Sequence, residues 1–123
     1  MANVVPMTAE HVVSLAGTPP PATIKGLTMM DGDRVLAVAG FYLSTACYEF
    51  ASFISPELHD RMRNRRWIRE ALRAGKQVLE LEKNRQLPIY AVADQTVPGS
   101  RNWLEHLGFY HHHKDIYKWH GSR

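Results

Sequence analysis

The sequence predicts a single α/β (α+β) domain, a mixed, mostly antiparallel sheet with one parallel strand pair and flanking helices. Three observations lead there. Two apolar runs flank Asp31-Gly32-Asp33, the pattern of a β-hairpin. The strand-like runs Tyr48–Ile54 and Leu87–Ala93 enclose the longest helical pattern of the chain, which requires a right-handed parallel crossover. Two short runs about Lys114-Asp115 close the chain as a strand pair. With 123 residues, 45% hydrophobic and 22% charged, the chain has the apolar mass for one ordinary core.

The elements follow in order. Ala2–Val5 is short and apolar and reads as an edge strand. Thr8 is placed to cap a short helix through Ala16 whose apolar side is Val12, Val13, Leu15 and Ala16. Gly17-Thr18-Pro19-Pro20-Pro21 ends it and imposes an extended connection. Thr23–Met30 and Arg34–Leu43 are the hairpin. Val35–Tyr42 is apolar on both faces and so central, and Gly40 within it leaves room for a close neighbour. Ser100–Leu107 is a short helix stopped by Gly108 at the position that favours left-handed backbone.

The stretch from Ser55 carries the densest chemistry. Ser55-Pro56-Glu57-Leu58 is a helix start. Arg61, Arg65, Arg69 and Arg73 then recur every fourth residue, with Arg63 and Arg66 between them. On one helix that ridge would cost about 0.2–0.5 kcal/mol per like-charged pair. Trp67, Ile68, Ala71, Leu72, Gly75, Val78 and Leu79 share an apolar arc that Leu58 and Met62 do not continue. The pattern therefore predicts a short helix near Pro56–Met62, a break at Arg63-Asn64, and a main helix from Arg65 to Arg85 capped by Asn64. Arg65, Arg66 and the backbone N–H groups of Trp67 and Ile68 then sit in the first turn, where phosphates bind. Gly75 on the buried arc predicts close approach to the sheet.

Composition narrows the function classes. No apolar run reaches transmembrane length, and nothing at the N-terminus reads as a signal peptide. Cys47 is the only cysteine, which fits a reducing, cytoplasmic setting. A net charge of +3 suits an anionic ligand and argues against nucleic acid as the partner. His111-His112-His113 on a strand would point to alternate faces, so no metal site is expected there. There is no nucleophile elbow, GxxxxGK loop or GxGxxG. Glu49, an acid among Tyr48, Phe50, Ala51 and Phe53, either faces solvent, pairs with an arginine, or acts as a general base in an apolar cleft.

The close Trp103-Leu104-Glu105-His106-Leu107-Gly108-Phe109, with the element order from Thr23 onward, resembles the GNAT superfamily of N-acetyltransferases, in particular small divergent members encoded by tailed bacteriophages. The resemblance implies acetyl-CoA as co-substrate and an amine acceptor. It implies that Tyr48–Ile54 splays from its parallel neighbour, with the pantetheine arm on the backbone of Phe53, Ile54 and Ser55. It implies a diphosphate site at the start of the main helix, on Arg65, Arg66, Trp67, Ile68 and Arg69, and Glu49 as base. Two departures stand against it. Ile68 and Glu70 occupy positions where the family's loop has small residues, and Leu104 stands where many members have a tyrosine acid. Tyr90, Tyr110 and Ser100 are the available substitutes. The family also offers a second expectation, a non-catalytic virion component or host-protein binder, with a homodimer through exposed strand edges as a further assembly.

Overall fold

The computed structural model describes residues 2–18, 24–43, 47–81, 88–93 and 99–120. Its elements are β1 (Ala2–Pro6), α1 (Ala9–Ala16), β2 (Ile24–Asp31), β3 (Arg34–Leu43), β4 (Tyr48–Ile54), α2 (Pro56–Arg61), α3 (Arg65–Glu80), β5 (Ile89–Val92), α4 (Ser100–His106), β6 (Phe109–His113) and β7 (Ile116–Trp119). The strands form one seven-stranded sheet in the order β1-β2-β3-β4-β5-β7-β6. Only β4 and β5 run parallel; the other neighbours are antiparallel. The class is α+β with a mixed sheet. The proline run and residues 94–98 lie outside the described residues, as does 82–85 of the predicted main helix.

Local chemistry explains the boundaries. The Thr8 hydroxyl accepts the His11 N–H, and His11 Nδ1 accepts both the Thr8 N–H and the Thr28 hydroxyl (2.8 Å). One imidazole thus closes the N-terminus of α1 and ties the helix to β2. Gly32 turns the β2–β3 hairpin at φ +60°, a first-central-position glycine. Ser55 Oγ accepts the Leu58 N–H, and Asn64 Oδ1 accepts the Arg66 N–H, so both predicted caps form. Gly108, at φ +100°, takes the chain out of α4.

Strand alternation sends side chains to two faces. Thr28 points to α1. Met29 points the other way, into a cluster with Leu36, Leu58 and Ala71. On that second face α3 and α4 lie side by side over the larger core of Phe41, Phe50, Val78, Leu79, Ile89, Leu104, Leu107, Phe109 and Tyr117. The apolar arc of α3 is buried at Ala71, Gly75, Val78 and Leu79, whereas Ile68 at its margin is 37% exposed. Gly75 does permit a close approach, but to α4 rather than to the sheet. A Cβ there would stand 2.7 Å from Leu107 Cδ2 and 3.5 Å from the Trp103 ring.

Gly26 faces Gly40 across β2–β3. A Cβ on Gly26 would overlap the Ala39 carbonyl oxygen and come within 2.5 Å of Gly40 Cα, where only backbone could yield. Gly26→Ala is therefore expected to lower stability by about 3 kcal/mol or more. The shift in urea midpoint at unchanged slope measures it.

Candidate functional site

The parallel pair defines the site. Among the described residues β4 and β5 are in register from Tyr48/Ile89 to Phe50/Ala91 and no further. Beyond Phe50, β4 continues to Ile54 paired with β3 alone among the described residues. The carboxyl ends of a parallel pair are where open α/β sheets receive ligands. The start of α3 lies towards this same end, since Met62 and Trp67, like Ile54 and Ala37, pack against the cluster of Met29, Leu36, Leu58 and Ala71. On the helix-covered face Trp103 of α4 reaches β4 and donates its indole N–H to Ser52 Oγ (3.2 Å). Phe53 faces the opposite way and is 39% exposed. Ile54 is half-buried, and Ser55 is buried with its hydroxyl committed to the cap of α2.

On the face of the sheet that carries α1, four register pairs align side chains from five strands: Tyr42, Glu49, Tyr90, Lys118 and Tyr110. Lys118 Nζ stands 6.0 Å over the Tyr90 ring, and the His112 ring lies 5.3 Å from it. Glu49 is exposed, so the apolar enclosure invoked for a base at this position is absent. Its charge is felt nonetheless. Burial, and then the nearby Glu49 carboxylate, push the Tyr42 phenol above the usual tyrosine range. The sequence singles out Glu49 and, as substitutes for an acid, Tyr90, Tyr110 and Ser100. Nothing local connects Tyr42 or Lys118 to them, because the row crosses strands distant in the chain.

The arginine ridge is divided. Arg61 bonds Asp31 (2.9 Å) and Glu57, and its guanidinium lies 4.7 Å over the Trp67 ring. Arg34 reaches the same Glu57 at 3.1 Å. Trp67 is thus a packing partner of Arg61. The backbone N–H groups of Trp67 and Ile68 donate to the Asn64 carbonyl (3.0 and 3.4 Å), which corrects the expectation that they are open to a phosphate. Anion binding at this helix start rests on the exposed Arg65 and Arg66 side chains. Arg69 turns elsewhere, into a cleft beside β1.

Leu104, at the position where the resemblance calls for an acid, is 4% exposed in the core and serves packing alone. His111 Nε2 donates to the Lys114 carbonyl (2.7 Å), and among the described residues no three His, Cys, Asp or Glu side chains converge as a metal site. Among them, no helix is long and apolar enough to cross a membrane. Comparison with protein-family models, curated proteins and solved structures found no match for this chain.

Two titrations check this geometry. Tyr42 is expected to ionise after an ordinary tyrosine, and Glu49→Gln to bring its transition down only part of the way, since burial is the larger cause. Ultraviolet difference titration, with Tyr42→Phe to assign the band, reads both. The hydrogen bond from Arg61 holds the Asp31 carboxyl below the usual carboxylate range. A depressed acid stabilises the fold above its unfolded pKa and loses that contribution as pH falls through the folded one. Asp31→Asn should therefore lower the melting temperature at neutral pH, with the deficit closing below about pH 4.

Proposed function

We propose that the chain is an N-acetyltransferase of the GNAT type, taking its acetyl group from acetyl-CoA and delivering it to an amine. The observation that carries this reading is that the pairing of β4 with β5 among the described residues stops at Phe50/Ala91, while β4 runs on to Ile54 towards the end of the sheet where α3 begins. The β5-facing edge of that stretch, without a strand partner among the described residues, suits the amide-rich pantetheine arm, and Arg65 and Arg66 suit a diphosphate as forked donors. The strand order, with α3 between the parallel strands, supports the same reading at the level of fold.

Acetyl-CoA would supply an acyl group activated as a thioester. The chain's own residues supply position and a proton acceptor. The Ile54 backbone would orient the arm, the Ser55 N–H and carbonyl being already bonded to the Leu36 carbonyl and the His59 N–H, and Arg65 and Arg66 would hold the charged end. Glu49 would take the proton from the amine, directly or through one water, at a carboxylate that already sits in solvent. Of the two phenols in register with Glu49, Tyr42 on β3 and Tyr90 on the parallel strand, Tyr90 is our choice for donating a proton to the departing sulfur.

A second reading is favoured by Trp103. Its bond to Ser52 closes the helix side of β4 just where pairing with β5 ends. With Ile68 and Glu70 in place of small residues, this fits a GNAT-fold protein that no longer catalyses and serves in a virion or on a host protein.

Melting curves with acetyl-CoA separate the two. At a hundred times Kd a bound ligand stabilises by about 2.7 kcal/mol. Transfer predicts a clear rise in Tm, lost in Arg65→Ala/Arg66→Ala. Glu49→Gln should keep the rise while slowing thiol release with an amine panel about 10²-fold or more. No rise at millimolar acetyl-CoA would leave only the non-catalytic reading.

A further inference from the structure

The cleft between α3 and the open edge of the sheet has no part in the chemistry above. It encloses about 890 Å³ between Val4 and Leu27 on the sheet and Arg69, Leu72, Arg73 and Lys76 on α3. Its floor is apolar and its rim cationic. Arg73 has Glu70 at 3.6 Å, whereas Arg69 and Lys76 make no ion pair among the described residues. Glu80, the one acid in the lining among the described residues, lies a turn beyond Lys76. Beside the cleft, β1 is an end strand paired, among the described residues, only with β2, and Val4, opposite Met29 in register, is 42% exposed on the α3 side.

An end strand presents unpaired N–H and C=O groups, which accept a further strand about 4.8 Å away. Here that position lies along the mouth of a cleft with three cations and an apolar floor. We propose that this edge binds an acidic, extended peptide segment of a partner protein as an eighth strand beside β1. Its apolar side chains would meet Val4 and Leu72, and its carboxylates Arg69, Arg73 and Lys76. This is β-augmentation, with main-chain bonds giving affinity and the cleft giving selection. A second copy is the wrong occupant, because two-fold pairing along β1 would bring the same cations together. Nucleic acid is disfavoured by a lining with no aromatic side chain on which bases could stack. The inference stands whether or not the chain binds CoA.

The test uses the full chain and a fluorescein-labelled peptide of repeating Val-Ser-Glu-Ser, which presents Val and Glu on one face of a strand. Anisotropy should show binding that weakens with salt. The Val-Ser-Lys-Ser repeat should not bind. Arg69→Glu/Arg73→Glu should weaken binding about tenfold or more, with circular dichroism confirming the fold. Methylating alternate backbone nitrogens of the peptide should abolish binding, since it removes strand hydrogen bonds and leaves the charges. Equal binding of the methylated peptide, indifference to the arginine changes, or tighter binding of labelled oligo-dT than of the acidic peptide would each overturn the proposal. So would failure of the acidic peptide to bind at low salt.

Discussion

The burial of Leu58 decides where the charged side chains of the central segment point. Leu58 is fully inaccessible, packed with Met29, Leu36 and Ala71. Withdrawing a leucine from water contributes about 1.5–3 kcal/mol. That anchors α2 against the sheet directly after β4 and forces the chain to turn again before α3. Asn64 accommodates the turn by capping α3 with both its side chain and its carbonyl. A continuous helix would have laid the arginines along one ridge. The break sends Arg61 back to Asp31 and Glu57, leaves Arg65 and Arg66 at the new helix start, and carries Arg69 and Arg73 to the β1 side.

This partition relieves the like-charge crowding that is so conspicuous in the sequence. Arg61 is neutralised by two acids, one from the β2–β3 hairpin and one from its own helix. Arg63 and Arg73 have Asp60 and Glu70 at 3.5 and 3.6 Å, weak exposed pairs. The remaining cations are spread over two different surfaces. One is the carboxyl end of the parallel pair and the other is the cleft. A single anionic ligand does not account for both.

Elements set by neighbouring residues were legible in the sequence. Thr8, Ser55, Asn64 and Gly108 act within a turn of their own position, so side-chain chemistry alone placed the ends of α1, α2, α3 and α4. The hairpin and the parallel crossover followed from alternation and order. What escaped reading depends on which distant segment comes to lie nearby. Gly75 announced a close contact, but nothing local distinguishes a sheet from Leu107 and Trp103 of α4. Asp31 and Arg61 meet because the hairpin tip and α2 share one end of the sheet. Trp67 looked like part of an anion site and is instead the surface on which Arg61 lies.

The row across the face that carries α1 is the clearest case. Glu49 was visible as an odd acid in an apolar strand, yet its meaning comes from its neighbours. Tyr42 precedes it by a hairpin, but Tyr90 follows a crossover, and Lys118 and Tyr110 arrive only because β7 inserts between β5 and β6. That insertion alternates chain direction and sets Lys118 over the Tyr90 ring. The face so formed has a carboxylate at one side, an ammonium at the other and phenol rings between and around them. Opposite charges two strands apart, roughly 10 Å by sheet spacing, remain unneutralised by each other. An amine drawn to Glu49 would therefore be repelled by Lys118 unless it carried an anionic or polar group at that distance. If the chain transfers an acyl group to an amine as proposed, the strand order that builds this row would favour such an acceptor.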